Sequence, residues 1–204
     1  MNKYNYRIRF KWIGTYKNGR YMKLRRLEQK DAPFMLEWMH DLFVVKYLQS
    51  DFMHKTIEDC YSFIEAAQDT TKNMHLAITD ENDEYMGTVS LKNINADSAE
   101  FAITIRKIAM GKGYSKYGME EIIGIGFEEL CLNKIYWCVS PENLRACKFY
   151  DKNRYRQMRL TKDEESRLMT TGYSLEQINH YKWYQIKKNK ISQCSFSEHK
   201  KIMP

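Results

Sequence analysis

Three glycines within eight residues mark the stretch of this sequence best suited to chemistry. Gly111, Gly113 and Gly118 lie in IAMGKGYSKYGMEE, residues 108–121, between a β-branched segment and a long amphipathic one. Glycine lets a backbone approach a ligand closely, and a helix N-terminus favours a bound phosphate or pyrophosphate. The spacing matches neither a Walker A sequence nor the full GxGxxG fingerprint. The stretch therefore predicts an anion-binding turn, with a flexible surface turn as the alternative.

The cysteines and histidines do not have the spacing of a metal site. The five cysteines contain no CxxC pair, and the five histidines contain no i, i+4 pair. An odd number of cysteines is typical of a protein in a reducing compartment. We therefore expect reduced thiols that mostly pack in the interior, and no metal.

The elements that must position the glycine turn alternate between strands and helices. A short alternating strand begins at Met22, and further strands are predicted at 75–80, 85–94, 99–106, 134–140 and 180–188. Helical spacing of apolar residues predicts helices from Asp31, over 56–68, over 114–130 and over 142–153. This order indicates an α/β fold with a mixed central sheet flanked by helices.

Length and charge indicate one globular domain with basic ends. The chain has 204 residues, of which 43% are apolar, and it contains neither a run of about 18 apolar residues nor a signal-peptide pattern. The net charge is +7, yet residues 1–21 carry six Lys or Arg and 187–204 add +4, which leaves −3 for 22–186. We expect a basic N-terminal extension over 1–21, a domain over 22–188 and a basic tail over 189–204. Solvated ends are a simpler explanation of this charge than a nucleic-acid footprint.

Residues 100–155 resemble the acetyl-CoA-binding core of the GNAT superfamily of N-acyltransferases. The likeness comprises a strand, the GxG turn, a helix, a second strand and the pattern N-x-x-A-x-x-x-Y from Asn143 to Tyr150. It is greatest to the branch of ribosomal-protein N-terminal and spermidine acetyltransferases, and a weaker likeness covers 22–188. Two positions differ from the family pattern. Ile108 stands where the family has Gln or Arg, and Arg154-Tyr155 replaces the usual Gly-Phe.

The resemblance implies a single-domain GNAT fold and a set of cofactor-binding residues. Main-chain amides of the turn would hold the pyrophosphate of acetyl-CoA, and the Lys112 side chain would add a positive charge. The backbone of Ile103 to Ile105 would pair with the pantetheine arm and polarise the thioester carbonyl, and Asn143 would contact the pantetheine. The turn residues are Met110, Gly111, Lys112, Gly113, Tyr114 and Ser115.

The resemblance also implies catalytic roles. Tyr150 would donate a proton to the leaving CoA thiolate, with core packing as the alternative. Glu100 begins the strand that leads to the thioester, so it could accept the amine's proton or bind a cationic acceptor; a solvated strand-end glutamate is the alternative. His75 is a weaker candidate for the base. We expect Cys138 to be a buried packing residue rather than a nucleophile.

The implied activity is direct transfer of an acetyl group from acetyl-CoA to a primary amine. We expect a cytoplasmic enzyme without metal, nucleic-acid or membrane partners, and homo-oligomerisation is left open. The expected acceptor is a small molecule, namely an amino sugar, its nucleotide or a polyamine. A protein N-terminal amine is the runner-up. The departures at Ile108 and Arg154 suggest a third possibility, a CoA-binding regulator without turnover.

Overall fold

The structure, a computed structural model, describes residues 14–17 and 19–188. Most of the expected basic extension and the whole of the expected tail lie outside these residues. No helix in the described part is long and apolar enough to cross a membrane.

The first half of the domain contains two strands followed by three helices. Pro33 lies in the first turn of the first helix, where its missing amide proton costs nothing. A capping box at Thr56 and Asp59 begins the third helix, since each residue's side chain accepts a hydrogen bond from the other's backbone amide. The elements are β1 (Thr15–Lys17), β2 (Arg20–Arg26), α1 (Ala32–Met39), α2 (Leu42–Val45) and α3 (Ile57–Ala66).

The second half contains six strands and four helices. All the strands and helices predicted in this half are confirmed, and the structure adds β7, α6 and α7, which were not explicitly predicted. The elements are β3 (Met74–Thr79), β4 (Tyr85–Lys92), β5 (Ser98–Ile105), α4 (Tyr114–Glu128), β6 (Lys134–Val139), α5 (Leu144–Lys152), β7 (Arg156–Gln157), α6 (Lys162–Thr170), α7 (Leu175–His180) and β8 (Lys182–Lys187).

The described strands form one mixed sheet in the order β1-β2-β3-β4-β5-β6-β8-β7. β1 pairs with β2, so the sheet extends into the stretch that the sequence assigned to the N-terminal extension. Neighbours are antiparallel except β5 and β6, which run parallel. Their pairing ends at Glu100 and Tyr136, although β5 continues to Ile105 and β6 to Val139. The two strands therefore separate into a fork.

Helices cover both faces of the sheet. α4 and α5 pack on one face, where Tyr117, Ile122 and Tyr150 join the largest apolar cluster. The helix α4 lies very close to β3, because a Cβ on Gly118 would come within 2.4 Å of the Ile78 side chain. On the opposite face, α1 and α3 form a second cluster, and α6 and α7 form a third around Trp183. Helices on both faces of the sheet therefore lie next to the fork between β5 and β6.

Candidate functional site

A cavity of about 550 Å³ occupies the fork. Its walls are β5 from Glu100 onward, β6 from Trp137 onward, the turn before α4 and the start of α5. The segment from Val44 to Phe52 and the tyrosines Tyr173 and Tyr181 complete the lining. A volume of this size is in the range of small-molecule sites.

The glycine turn opens onto this cavity. Gly111 has a φ of +75° and Gly113 a φ of +96°, which is the left-handed region that favours glycine. Within the described residues, no side chain caps α4 and no backbone carbonyl accepts from the amides of Tyr114, Ser115 or Lys116. These amides lie at the positive end of the helix dipole, so the turn presents unpaired donors suited to a phosphate.

Most of the residues predicted to bind the cofactor line the cavity. Met110, Gly111, Gly113 and Ser115 belong to its wall, as do Ile103, Ile105 and Asn143 on the neighbouring elements. The Lys112 side chain is exposed and is not part of the wall. Tyr114 is 5% exposed and packs in the α4 core, so only its backbone amide can serve the turn.

The N-x-x-A spacing has a local structural cause. Asn143 is the N-cap of α5, and its side-chain oxygen accepts a hydrogen bond from the Ala146 amide at 3.2 Å. An N-cap side chain ordinarily satisfies an amide three residues later, which fixes this spacing. Both Asn143 and Ala146 line the cavity.

Arg145 is a cavity residue that the sequence analysis missed. Its guanidinium lies 5.4 Å from the ring centre of Phe43 and contacts the Met110 sulfur in the glycine turn. With Lys116, it adds positive charge on the side of the cavity that carries the open amides. Its position inside the N-x-x-A pattern could have identified it as a cavity residue.

Tyr150 lies both in the core and at the cavity wall. Its ring packs against Trp137 and Tyr184 at centroid distances of 5.3 and 5.2 Å, and the residue is 7% exposed. Burial raises the pKa of the Tyr150 phenol above its usual range, which keeps it protonated at neutral pH. Packing and proton donation are therefore compatible roles for the same side chain.

Glu100 is buried, which contradicts the alternative of a solvated strand-end glutamate. The residue is 3% exposed and lines the cavity. Its carboxylate accepts hydrogen bonds from the Tyr173 hydroxyl at 2.7 Å and from the Asn93 side chain at 3.2 Å, and it forms an ion pair with the Lys92 ammonium at 2.8 Å. A buried carboxylate is stable only with such partners.

Cys138 lines the cavity without the properties of a nucleophile. Burial raises the pKa of its thiol to about 11, so the thiolate is scarce at neutral pH. Its sulfur lies 3.5 Å from the Tyr173 hydroxyl and 3.4 Å from the Gln49 side-chain nitrogen. The expectation of a packing residue agrees with this environment.

His75 is not brought to the cavity. Its ring packs against Phe63 and its Nδ1 is 2.8 Å from the Ser90 hydroxyl oxygen. Burial lowers the pKa of His75 to about 4. The structure therefore gives no support to His75 as the base.

The described residues contain no cluster of three or more His, Cys, Asp or Glu side chains that could hold a metal. Cys60, Cys138 and Cys147 are free thiols, as expected.

Comparison with known proteins settles the family. Residues 22–156 match the acetyltransferase (GNAT) domain family, which is more than half of the chain. The chain belongs to the GNAT acetyltransferases. It is an acetyl-CoA-dependent N-acetyltransferase, and the resemblance found in the sequence is confirmed.

Curated relatives of this GNAT enzyme include three bacterial acetyltransferases. The N-acetyltransferase p20 of Bacillus licheniformis is 26% identical over 150 residues, covering 71% of this chain and 84% of that protein. The acetyltransferase PseH of Campylobacter jejuni is 25% identical over 130 residues, covering 63% and 79%. The spermidine N(1)-acetyltransferase of Vibrio cholerae is 30% identical over 139 residues, covering 64% and 76%.

Solved structures share the fold. The Vibrio cholerae spermidine N-acetyltransferase in complex with CoA and spermine superposes with a TM-score of 0.65 at 21% identity, covering 81% of this chain and 95% of that one. Campylobacter jejuni PseH in complex with acetyl coenzyme A gives 0.56 at 18% identity, covering 82% and 99%. The expected single-domain GNAT fold is thus confirmed.

Proposed function

We propose that this N-acetyltransferase acetylates the primary amine of a small molecule by direct attack within the fork cavity. The observation that carries the proposal is the cavity itself, whose two ends carry different chemical groups. Open amides and two cations lie at one end, and a buried carboxylate lies on the face of the sheet opposite α4. The first end suits a diphosphate, and the second suits an amine.

The residues around the turn fit the cofactor. The amides of Tyr114, Ser115 and Lys116 would hold the pyrophosphate, and Arg145 would add charge. Beyond Glu100, β5 pairs with β4 but no longer with β6, so the β6-facing edge of Ile103 to Ile105 is available to an extended pantetheine arm. The bound cofactor supplies an acetyl group activated as a thioester.

Three groups of the chain would then act on the reaction. A β5 amide polarises the acyl oxygen, which is the kind of preorganised donor that stabilises developing negative charge. The Tyr150 phenol donates a proton to the departing sulfur. The Glu100 carboxylate attracts the acceptor amine and receives its proton directly or through water.

The charges on the cavity wall favour one acceptor class over another. Among the described lining residues, the charged side chains are Lys92, Glu100, Lys116 and Arg145. The single carboxylate is already paired with Lys92 at 2.8 Å. A polyamine would leave several cations uncompensated in such a cavity, whereas an amino sugar or its nucleotide brings one amine and neutral or anionic groups. We therefore propose an amino sugar or a sugar nucleotide as the acceptor.

Steady-state release of CoA across a panel of amines tests this proposal. The panel contains amino sugars, their nucleotides, spermidine and peptides with free N-termini, with the N-acetylated form of each compound as its matched control. Turnover on an amino sugar or its nucleotide is expected. Turnover confined to spermidine or to peptide termini would contradict the acceptor class. Saturable acetyl-CoA binding without CoA release on any amine would instead identify a regulator.

A further inference from the structure

We infer that Tyr173 is a positioning residue that fixes the Glu100 carboxylate toward the acceptor. Tyr173 lies beyond residue 156, where the family match ends. Together with Tyr181, it is therefore a contribution of this chain's C-terminal region to a cavity otherwise lined by residues of the family match. The inference rests on the proposed role of Glu100.

The backbone holds Tyr173 in place at the end of α6. Gly172 has a φ of +102°, and its amide donates to the Met169 carbonyl oxygen at 3.3 Å. The Tyr173 amide donates to the Leu168 carbonyl oxygen at 3.2 Å. This pair of bonds is a Schellman motif, which commonly brings the residue after the glycine against the last turn of the helix. Leu168 and Tyr173 accordingly share one apolar cluster.

Side-chain packing then directs the phenol to the cavity. Tyr173 is 8% exposed, and its ring lies 5.4 Å from that of Trp183, centroid to centroid. Its hydroxyl donates to Glu100 Oε1 at 2.7 Å. Burial raises the pKa of the Tyr173 phenol above its usual range, so the hydroxyl remains a donor throughout the pH range of an assay.

The hydrogen bonds leave the Glu100 carboxylate with capacity for one more donor. Tyr173 and Lys92 contact Oε1, and Asn93 donates to Oε2. A carboxylate offers about four lone-pair sites, so three described donors hold its orientation and leave about one site for an amine. Loss of the Tyr173 hydroxyl would release one of the three and let the carboxylate turn away from the acceptor.

The test is Tyr173→Phe, with Tyr136→Phe as the matched control. Tyr136 belongs to the same apolar cluster and also packs against Trp183, but among the described hydrogen bonds its hydroxyl makes none to Glu100. Tyr173→Phe is expected to lower kcat/KM for the acceptor about tenfold, because a hydrogen bond to a charged group is lost. The KM for acetyl-CoA should stay unchanged, and Tyr136→Phe should behave like the native chain. Tyr173→Met, which also lacks the hydroxyl, provides a second variant should the first fold poorly.

A double-mutant cycle separates positioning from general packing. If Tyr173 acts through Glu100, then adding Tyr173→Phe to Glu100→Gln should change kcat/KM by less than about twofold. Full additivity, or native acceptor kinetics in Tyr173→Phe, would overturn the inference while the proposed function stands. Absence of turnover by the native chain on every amine would overturn the proposed function and this inference together.

Discussion

The proposed acid role of Tyr150 does not conflict with its packing in the core. Its ring is enclosed by Trp137 and Tyr184, which fixes its direction, while the residue still reaches the cavity wall. No described residue makes a hydrogen bond to its hydroxyl. Removal of this oxygen therefore leaves no stranded protein partner.

Substitution of Tyr150 by Phe separates chemistry from packing. We expect kcat to fall at least about tenfold, since a general acid contributes on the order of a hundredfold or more. The KM for acetyl-CoA and the free energy of unfolding should change little, the latter by less than about 1 kcal/mol. Steady-state kinetics and thermal unfolding measure these quantities. An unchanged kcat would remove Tyr150 from the mechanism.

Individual residues of the proposed site could be predicted from the sequence where they lie within a local pattern. Gly111 and Gly113 were predicted from their spacing before a helix, and Asn143 and Tyr150 from the resemblance of the N-x-x-A-x-x-x-Y pattern to the family. Tyr173 could not be found this way, because it lies 73 positions from its partner Glu100. The burial of Glu100 could not be predicted from the sequence either, because it depends on contacts with Lys92, Asn93 and Tyr173.

Among the elements, the turn before α4 and the fork beside it define the proposed cofactor site. The turn depends on left-handed backbone at two glycines, and the fork depends on β5 and β6 parting after Glu100. Neither feature is a side-chain property. We therefore expect the proposed site to tolerate the departure at Ile108, which is half-exposed and outside the cavity wall.

Gly111→Ala tests the turn, with Gly124→Ala as its control. A Cβ at either position would meet no atom within 4 Å, so steric clash is excluded in both. Of these two glycines, only Gly111 has a positive φ. Alanine in that conformation costs about 1–2 kcal/mol, so Gly111→Ala should shift the turn and weaken acetyl-CoA binding. Gly124→Ala should stabilise α4 by about 0.5–1 kcal/mol with unchanged affinity. Equal affinities of the two variants, measured by calorimetry, would exclude a role for the backbone geometry of the turn.

Strand and helix prediction succeeded where periodicity was strong and failed where elements are short. β1, α2 and β7 have two to four residues each, too few for a period to show. The starts of α6 and α7 do carry a recognisable sequence pattern. Thr161 with Glu164 and Ser174 with Gln177 form capping boxes at their starts. The separation of β5 from β6 could not be predicted, because it depends on pairing between strands that lie far apart in the sequence.

For the whole molecule, stability should depend on pH through His75. Its folded pKa of about 4 is below the ordinary 6.5, so the unfolded chain binds more protons between these values. The stabilising effect of neutral His75 is complete above about pH 6.5 and is lost as the pH falls toward 4, by up to about 3 kcal/mol. Chemical unfolding of the native chain and of His75→Gln across this window measures the effect. An equally steep loss of stability in His75→Gln would show that other titratable groups cause the pH dependence.

We propose that main-chain amides at the start of α4 bind the diphosphate of acetyl-CoA and so direct its acetyl group toward an amine in the fork. Calorimetric titration of the full chain with acetyl-CoA, compared with S-acetyl-pantetheine, tests this most directly. The two ligands share the acetylated arm, but only acetyl-CoA carries the diphosphate and nucleotide. We predict saturable one-site binding of acetyl-CoA and at least about tenfold weaker binding of S-acetyl-pantetheine. Absence of saturable binding by acetyl-CoA, or equal affinity for both ligands, would show that the turn does not bind the diphosphate.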